Sequence, residues 1–493
     1  MTGRGQWIDG RWVPGRGPEL HSVDPATGRT VWSGREAAPE EVARAVEAAR
    51  RAARDWAGRP VAARRAVLET YREQVRAHRE ALAEAVCRET GKPRWEARGE
   101  ADAAVGKVEL ALEAYGERCA PRRVALGDAE GGIHYRPLGV VAVLGPFNLP
   151  VHLPNGQIVP ALLAGNAVVF KPSELTPGVG ELLAQLWERA GLPPGVLHLV
   201  QGGAPVGRAL VEHAEVDGVL FTGSYRTGQA IHRALGGRPE VLLALEMGGN
   251  NPLVVWDVAD TAAAALHVVL SAFVTAGQRC TCARRLIVPE SGGEAILDAV
   301  ASAVRGLRVG PATDRPEPFL GPVVSEAAAA GLLEAQERLL RAGGVARVPM
   351  ESRGGAFVTP GIVDVTGVSE RPDEEWFGPL LQAVRVGSFD AALDEANRTA
   401  YGLAAGLLAD EPALWERFRR EVRAGVLTWN RPTTGASGRL PFGGLGRSGN
   451  HRPAGFFTVD ACADPVASVA VERLAAPAAL PPGIEAGRPE GRR

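Results

Sequence analysis

The chain of 493 residues is too long for a single hydrophobic core, so we expect two or three domains. With 45% hydrophobic residues, 23% charged residues and a formal net charge of -2, its composition is globular and gives no electrostatic reason to expect nucleic acid or an anionic membrane as a partner. The few cysteines do not suit a disulfide framework, and neither a bilayer-spanning run nor a secretory signal is present, so we expect a cytoplasmic protein with a small-molecule partner.

The N-terminal region is predicted to hold a hairpin followed by surface helices. Asp9 and Gly10 separate two short apolar runs, a pattern typical of a tight β-turn. From Pro39 apolar residues recur at helical spacing, and the spacing continues from Val67 to Val75. These segments are expected to be helices that each bury one face.

Two regions in which strands and helices alternate follow. The first has short apolar runs at 140–144, 167–170, 196–200, 219–222 and 242–245. The second has them at 252–256, 286–288, 381–386 and 425–429. The first pattern predicts a parallel, doubly wound sheet, and the second predicts a further α/β domain. Such sheets bind ligands at the carboxyl ends of their strands, so chemistry is expected directly after these runs.

The residue best suited to covalent chemistry lies in segment 273–282. Cys280 follows a turn of small residues there, and a thiolate is the natural nucleophile for an aldehyde carbonyl. A lone cysteine is more often a small buried apolar residue, so Cys280 needs support from other features.

Glu246 and Asn148 each follow a predicted strand and supply that support. Glu246 precedes two glycines and could activate water with a pKa raised by burial, whereas a capping or ion-paired role is the ordinary alternative. The amide of Asn148 could donate to a developing oxyanion, although a turn asparagine is the more common interpretation.

Two segments are candidates for holding a dinucleotide. Lys171 and Glu174 present a cation and a carboxylate after the 167–170 run, where they could hold the hydroxyls of a ribose. Segment 221–228 leads from a strand into a helix, so its backbone N–H groups could receive a phosphate, although it lacks the common G-x-G-x-x-G pattern. No cysteine or histidine spacing indicates a metal site.

Taken in order along the chain, these motifs resemble the aldehyde dehydrogenase superfamily. The segments that carry the resemblance are Asn148, 171–174, 223–224, 246–249, 277–280 and 375–379, and the whole likeness runs from Trp7 to about Phe457. It implies that Cys280 is the nucleophile, Glu246 the base for hydrolysis of the thioester, and Asn148 an oxyanion donor together with the Cys280 backbone N–H. It also implies NAD as the cofactor and no metal.

The resemblance further implies a set of cofactor-binding residues, which are Lys171, Ser173, Glu174, Gly223, Ser224, Tyr225, Arg226, Thr227, Gly228, Glu375 and Phe377. The carboxylate of Glu174 favours NAD over NADP, since it would repel a 2′-phosphate.

The implied fold is α/β and has several parts. They are a Rossmann-like NAD-binding domain at 1–118 and 137–246, an α/β catalytic domain at 247–457, a β oligomerisation arm at 119–136 and 458–474, and a disordered tail at 475–493. The arm implies a homodimer or a homotetramer.

Within the superfamily, segments 148–156, 246–252, 278–285 and 449–453 resemble the branch that oxidises N-succinylglutamate 5-semialdehyde in arginine catabolism through the succinyltransferase pathway. A semialdehyde of succinate or glutamate stays open as the substrate, and a catalytically silent protein on this fold is the alternative from another class. The substrate carboxylates would need cationic or donor partners, for which the candidates are His152, Asn155, Arg279, Arg284, Arg431, His451 and Arg452.

Overall fold

The computed structural model describes residues 2–450, 454–475, 477 and 481–484. Most of the tail predicted to be disordered, 475–493, lies outside the described residues. The strands are β1 (Gln6–Ile8), β2 (Arg11–Val13), β3 (Glu19–Val23), β4 (Thr30–Arg35), β5 (Arg122–Leu126), β6 (Ala129–Pro137), β7 (Val140–Leu144), β8 (Ala167–Lys171), β9 (Leu197–Leu199), β10 (Gly218–Gly223), β11 (Leu242–Met247), β12 (Asn251–Val255), β13 (Ala283–Pro289), β14 (Val345–Val348), β15 (Gly361–Asp364), β16 (Leu380–Val386), β17 (Ala404–Leu408), β18 (Val426–Trp429), β19 (Pro441–Phe442), β20 (Ala454–Gly455) and β21 (Ala463–Ala470).

The α-helices are α1 (Pro39–Ala57), α2 (Val61–Ala77), α3 (Arg79–Thr90), α4 (Arg94–Arg118), α5 (His152–Ala164), α6 (Pro177–Arg189), α7 (Ala204–Glu212), α8 (Tyr225–Ala234), α9 (Thr261–Ala272), α10 (Gly293–Arg305), α11 (Glu326–Arg341), α12 (Phe389–Asn397) and α13 (Pro412–Glu421). Short 3-10 helices lie at Val274–Gly277, Gly446–Ser448 and Thr458–Ala461. Within the described residues, no helix combines the length and apolar character needed to cross a bilayer.

The first sheet has seven strands in the order β11-β10-β7-β8-β9-β1-β2. Strands β7 to β11 run parallel, and the hairpin β1-β2 joins the edge antiparallel to β9. The chain passes from β7 to β8 and β9 on one side and then returns past β7 to β10 and β11 on the other. The strand order therefore reverses at β7, which is the switch point where a doubly wound sheet binds its ligand. The predicted hairpin and the five predicted strands of this region are confirmed.

The strands at the centre of this sheet are buried because helices cover both faces. Every residue of β7 and β8 is buried, as expected for parallel strands inside an α/β layer. Val141 and Val143 pack in one core with Tyr71 of α2. Val140 packs in a second core, on the other face, with Val42 of α1. The predicted helical stripes therefore fill both sides of the sheet.

The second sheet also has seven strands, in the order β14-β15-β16-β13-β12-β17-β18. The four predicted runs of this region became β12, β13, β16 and β18, so the α/β fold class is confirmed. Strands β14, β15 and β17 were not predicted. β17 has the sequence Ala-Ala-Gly-Leu-Leu, which has little intrinsic preference for a strand. It is extended because it pairs with a strand on each side, the buried β12 and the partly buried β18.

A third, antiparallel sheet combines β5, β6 and β21. β21 pairs with β6 over its whole length, from Ala463 opposite Pro137 to Ala470 opposite Glu130. β5 is the outer strand on the other side of β6 and is exposed throughout. Two strands far apart in sequence thus pair in a sheet separate from both large ones.

Candidate active site

A cavity of about 1410 Å³ lies at the carboxyl ends of β7, β8, β10 and β11 and reaches the loop before β16. Its volume exceeds the roughly 300–1,000 Å³ of ordinary ligand pockets, so it has room for a large ligand together with a small one. The predicted site residues that line it are Asn148, His152, Lys171, Ser173, Glu174, Gly223, Ser224, Thr227, Glu246, Arg279, Cys280, Glu375 and Phe377.

Cys280 lies in a strained loop that polar groups hold in place. Thr275 and Ala276 have φ angles of 57° and 50°, which residues with a side chain rarely adopt. The buried carboxylate of Glu96 in α4 accepts hydrogen bonds from the Thr275 backbone N–H at 3.1 Å and from its hydroxyl at 2.7 Å. Asn251 of β12 donates to the Cys280 carbonyl at 2.7 Å. These contacts fix the thiol at one point of the cavity wall.

The environment of the Cys280 thiol opposes its ionisation. Burial, and after it the charges of Glu375 and Glu246, raises the pKa of this thiol to about 12. Cys282 is fully buried instead, its thiol donates to the Val274 carbonyl at 3.7 Å, and it does not line the cavity. Of the two neighbouring cysteines, only Cys280 can therefore reach a ligand in the cavity.

Glu246 lies in β11 with its side chain at the cavity wall. Among the described residues, neither of its carboxylate oxygens has a hydrogen-bond partner, and burial raises the pKa of Glu246 well above its usual value. Within the described part of the chain, Glu246 therefore neither caps a helix nor forms an ion pair, which are the two ordinary roles of such a residue. A buried carboxylate that is raised in pKa and open to a cavity is suited to accept a proton from water.

The amide of Asn148 faces the loop that carries Cys280. Its Nδ2 donates to the Gln278 carbonyl at 2.9 Å, and the side chain is buried. Gln278 is itself fixed, since its amide donates to the Thr275 carbonyl at 3.2 Å and accepts from the Val324 N–H at 3.0 Å. One Asn148 amide hydrogen is used in this way, which leaves the other to donate to a ligand.

The end of β8 presents a cation and a carboxylate to the cavity. The Lys171 ammonium donates to the carbonyls of Pro172 and Gly202 at 2.8 and 2.7 Å and lies 3.7 Å from the Glu174 carboxylate. The Glu174 side chain is half exposed, so it is free to receive hydroxyl groups. Ser173, between them, is buried and lines the same wall.

The N-terminus of α8 faces the cavity directly after β10. Ser224 caps the helix by accepting the Thr227 N–H at 3.3 Å, and Gly223, Ser224 and Thr227 all line the wall. The partial positive charge of a helix N-terminus favours an anionic group at this place.

Three neighbours of this turn are placed elsewhere. Tyr225 packs under the guanidinium of Arg447, 5.3 Å from the ring centre, and Arg226 is exposed. A Cβ atom on Gly228 would lie 2.3 Å from the Met247 sulfur, so this glycine allows α8 to pack on β11. Tyr225, Arg226 and Gly228 do not line the cavity.

Glu375 and Phe377 line the cavity close to Cys280. Gly248 makes room for Glu375, because a Cβ atom on Gly248 would lie 1.7 Å from one of its carboxylate oxygens. The Gly249 N–H donates to Glu375 at 3.0 Å, and burial raises the pKa of Glu375 to about 7. Phe377 meets Phe147 edge to face, with the ring centres 5.9 Å apart. From β8 past α8 to Glu375, the wall therefore fits an elongated dinucleotide with hydroxyl groups at both ends and phosphate between them.

The predicted substrate residues are placed differently from one another. Arg279 lines the cavity but pairs with Glu96 at 3.1 Å. His152 lines it as well, and burial, with the charges of nearby cations, lowers the pKa of this imidazole well below its usual value. Arg431 is exposed and does not line the cavity. Arg452 lies outside the described residues.

The remaining candidates for the substrate carboxylates have other partners. Asn155 is fully buried and accepts the Tyr71 hydroxyl at 2.7 Å. Arg284 donates to the Gly378 carbonyl at 3.4 Å and the Arg279 carbonyl at 3.0 Å, which makes it part of the scaffold behind the loop. His451 lies outside the described residues.

Charged residues of α4 in the cavity wall were not predicted. They are Glu96, Glu100 and Lys107. Glu100 accepts the ammonium of Lys92 at 2.7 Å and the N–H of Val151 at 2.8 Å, so it fixes the start of α5. Residues four and then seven positions apart lie on one face of a helix, and this spacing is the sequence signal that could have found them.

Comparison with known proteins gives one consistent result. The model of the aldehyde dehydrogenase family matches residues 12–465. A protein from Paraburkholderia xenovorans (strain LB400) named N-succinylglutamate 5-semialdehyde dehydrogenase is 53% identical over 97% of this chain and 99% of its own length. One of the same name from Ectopseudomonas mendocina (strain ymp) is 51% identical over the same shares.

Two solved structures extend the comparison to the cofactor. A 1-pyrroline-5-carboxylate dehydrogenase from Thermus with bound NAD has a TM-score of 0.89 and 31% identity, covering 95% of this chain and 93% of its own. An NADP-dependent glyceraldehyde-3-phosphate dehydrogenase from Bacillus halodurans C-125, complexed with NADP, has a TM-score of 0.90 and 27% identity, covering 96% of this chain and all of its own, 100%. Both neighbours hold a nicotinamide dinucleotide, NAD in one and NADP in the other.

Proposed function

Because the chain belongs to the aldehyde dehydrogenase family, it is an oxidoreductase that acts on an aldehyde, and we propose that its substrate is N-succinylglutamate 5-semialdehyde, which it oxidises to N-succinylglutamate in arginine catabolism. The observation that carries the proposal is the identity above 50% to two relatives of that name over nearly the whole of each chain. The cavity supports the same chemistry, since a thiol, a buried carboxylate and an amide donor line it together.

The reaction begins with attack of the Cys280 thiolate on the aldehyde carbon. The new oxyanion accepts hydrogen bonds from the free amide hydrogen of Asn148 and from the Cys280 backbone N–H. Because Gln278 fixes the Asn148 amide, this donor is oriented before the substrate arrives and no reorganisation is needed during the reaction.

The wall that runs from β8 to Glu375 would hold the cofactor. Lys171, Ser173 and Glu174 would hold one ribose, and Gly223, Ser224 and Thr227 would receive the phosphates. Glu375 would receive the second ribose, next to Phe377. Bound NAD would supply the acceptor for the hydride and a positively charged ring. We propose NAD rather than NADP because the half-exposed Glu174 carboxylate would repel a 2′-phosphate.

The oxyanion re-forms the carbonyl as the carbon loses its hydride, which leaves a thioester on Cys280. Hydrolysis of this thioester completes the reaction. Glu246 removes a proton from water, which attacks the thioester carbon and releases the acid and the Cys280 thiol. The raised pKa of Glu246 makes it a stronger base than an exposed carboxylate, and its two unpartnered oxygens leave room for the water.

We also propose that the three largest sheets mark three functional units. The first serves cofactor binding (1–118 and 137–246), the second catalysis (247–457), and the third is an oligomerisation arm (119–136 and 458–474). The arm leaves β5 and β21 as edges, and Val124 and Leu126 are 46% and 47% exposed on β5, so a second copy can cover them in a homodimer or homotetramer. All five cysteines are unpaired, which supports a cytoplasmic location.

The proposed substrate is tested by the rate of NAD reduction with purified enzyme. We expect kcat/KM for N-succinylglutamate 5-semialdehyde to exceed the values for succinate and glutamate semialdehydes by at least tenfold. A higher value for either shorter semialdehyde would assign the enzyme to that substrate instead. The absence of both NAD and NADP reduction with every aldehyde would show a silent member of the family.

A further inference from the structure

One end of the cavity is built from α4, α5 and the exposed segment 434–438. Lys107 lies in this part of the wall. A Cβ atom on Gly156 of α5 would lie 3.5 Å from its ammonium nitrogen, and one on Gly438 would lie 3.9 Å from it. The ammonium therefore lies between α5 and the 434–438 segment, next to a glycine of each.

Lys107 differs from the other cations of the wall. Within the part of the chain that the structure describes, its ammonium has neither a carboxylate partner nor a hydrogen bond. Lys171 donates to two carbonyls, and Arg279 pairs with Glu96. Arg208 and Arg233 line the wall near the proposed cofactor site and are exposed to solvent. Lys107 is only partly exposed, so its charge is poorly compensated both by solvent and by protein.

Two further observations indicate an anionic ligand at this place. Burial alone lowers the pKa of Lys107 to about 8, which is the sign of a cation without a protein counter-charge. The charge of Lys107 also contributes to the lowered pKa of His152, one helical turn from Gly156 on α5. His152 is therefore neutral at pH 7 and can offer a hydrogen bond but no charge.

The positions of Glu96 and Lys107 along α4 indicate which part of the substrate reaches the Lys107 ammonium. Glu96 holds the loop of Cys280, and Lys107 lies eleven residues further on the same helix, about 16 Å along its axis. Gly438, in a segment that lines the same cavity, is the neighbour of Lys107 on the side away from α5. A substrate whose aldehyde lies at Cys280 would extend its other end toward Lys107.

We propose that Lys107 binds the carboxylate that the aldehyde substrate carries farthest from its aldehyde carbon. This assignment rests on the proposed function, and for N-succinylglutamate 5-semialdehyde the carboxylate is that of the succinyl group. Lys107 then sets the preference for a substrate with an acidic end, and neither Arg431 nor Arg279 is needed for that role.

The test compares two substrates that differ only at this end. N-succinylglutamate 5-semialdehyde has the succinyl carboxylate, and N-acetylglutamate 5-semialdehyde lacks it while keeping the α-carboxylate and the amide. The quantity measured is the ratio of kcat/KM for the succinyl compound to that for the acetyl compound. Lys107→Met keeps the length and apolar stem of the side chain without the charge and should lower this ratio by about tenfold to a hundredfold.

Two more variants separate binding from a general effect. Lys107→Arg restores a cation and should recover most of the ratio. Arg98→Met removes a cation from the exposed face of the same helix, where Arg98 pairs with Glu80 at 2.9 Å, and should leave the ratio as in the unmodified enzyme. An Arg98→Met effect equal to that of Lys107→Met would mean that only long-range charge matters, and this would overturn the assignment.

The outcomes distinguish this proposal from the proposed function. If the unmodified enzyme prefers the succinyl compound and Lys107→Met keeps that preference, Lys107 does not bind the carboxylate and the proposed substrate still stands. A loss that is equal for both compounds in Lys107→Met would also contradict the assignment. If the unmodified enzyme shows no preference for the succinyl compound, the proposed substrate is wrong, and the role of Lys107 is wrong with it.

Discussion

Arg279, the residue before the proposed nucleophile, forms a salt bridge of 3.1 Å with the fully buried carboxylate of Glu96. The same carboxylate accepts two hydrogen bonds from Thr275, so one buried acid holds both ends of the strained turn. Arg279→Ala leaves Glu96 without its cation and should lower the free energy of unfolding by about 1–3 kcal/mol. It should also lower kcat about tenfold or more, because Cys280 loses its fixed position.

The control for this prediction is Arg65→Ala, which removes an exposed cation paired with Glu69 at 2.8 Å and should leave stability and kcat unchanged within error. Thermal unfolding and turnover are measured with an acidic and with a neutral aldehyde. We expect Arg279→Ala to affect both aldehydes equally. A loss confined to the acidic aldehyde would show instead that Arg279 binds the substrate.

Cys280 and Cys282 should respond in opposite ways to substitution. Cys280→Ala should abolish NAD reduction, because no other thiol reaches the cavity from this loop. Cys282→Ala should keep a substantial fraction of activity, since its thiol only donates to the Val274 carbonyl in the core. Steady-state turnover of the two variants, each checked for its fold by circular dichroism, decides the matter. An inactive but folded Cys282→Ala would make the assignment of the nucleophile wrong.

Glu246→Gln should separate the two halves of the reaction. The amide cannot accept a proton from water, but hydride transfer does not need this base, so the enzyme should form the thioester and stop there. Rapid mixing should show a burst of about one NADH per active site and little steady turnover. The absence of a burst, or a normal steady rate, would remove Glu246 from the role of base for hydrolysis.

The pH dependence of thiol alkylation tests the electrostatics around Cys280. Its pKa is raised to about 12 by burial and by neighbouring carboxylates, so in the cofactor-free enzyme its rate with iodoacetamide should rise with pH and show no plateau up to pH 10. While the pH is below the pKa, each increase of one pH unit raises the thiolate fraction about tenfold. Glu375→Gln removes a negative charge, lowers the thiol pKa and should increase the rate at pH 8. Mass spectrometry of the Cys280 peptide measures both effects, and a plateau near pH 9 would contradict them.

The proposed preference for NAD over NADP should depend on Glu174. Glu174→Ala removes the carboxylate that opposes a 2′-phosphate, so the ratio of kcat/KM for NAD over NADP should fall by about tenfold. Glu240→Ala, which removes an exposed carboxylate that pairs with Arg238, is the matched control. If the ratio is the same in both variants, the preference comes from another part of the cavity.

Much of the fold could be predicted because its strands carry their own signal. The runs at β7 and β8 are apolar and bounded by turns, and burial on both faces is visible in the sequence. β17 was missed for the opposite reason, since its alanines and glycine become a strand only between two neighbours. Pairing partners far along the chain decide such a segment, and no local pattern records them.

In the cavity, the residues that follow strands were the easiest to predict. Asn148 and Glu246 come just after or at the end of an apolar strand, Cys280 follows a turn of small residues, and all three line the same cavity. Lys107 lies in the middle of a helix, where a cation ordinarily faces solvent. Only the packing of α4 against α5 turns it toward the cavity, so its position depends on tertiary structure and not on a motif.

The pairing of β21 with β6 has a consequence for synthesis of the chain. His134 and Ser468, whose side chains form a hydrogen bond across these strands, are 334 positions apart. A ribosome that adds about 5–20 residues each second needs on the order of tens of seconds to make that stretch. During this time β6 has emerged while its partner does not yet exist, and its edge is open to other chains. Nascent chains on one messenger RNA therefore carry a strand with an unpaired edge. A chaperone that shields this edge until translation ends would raise the yield of correctly assembled enzyme.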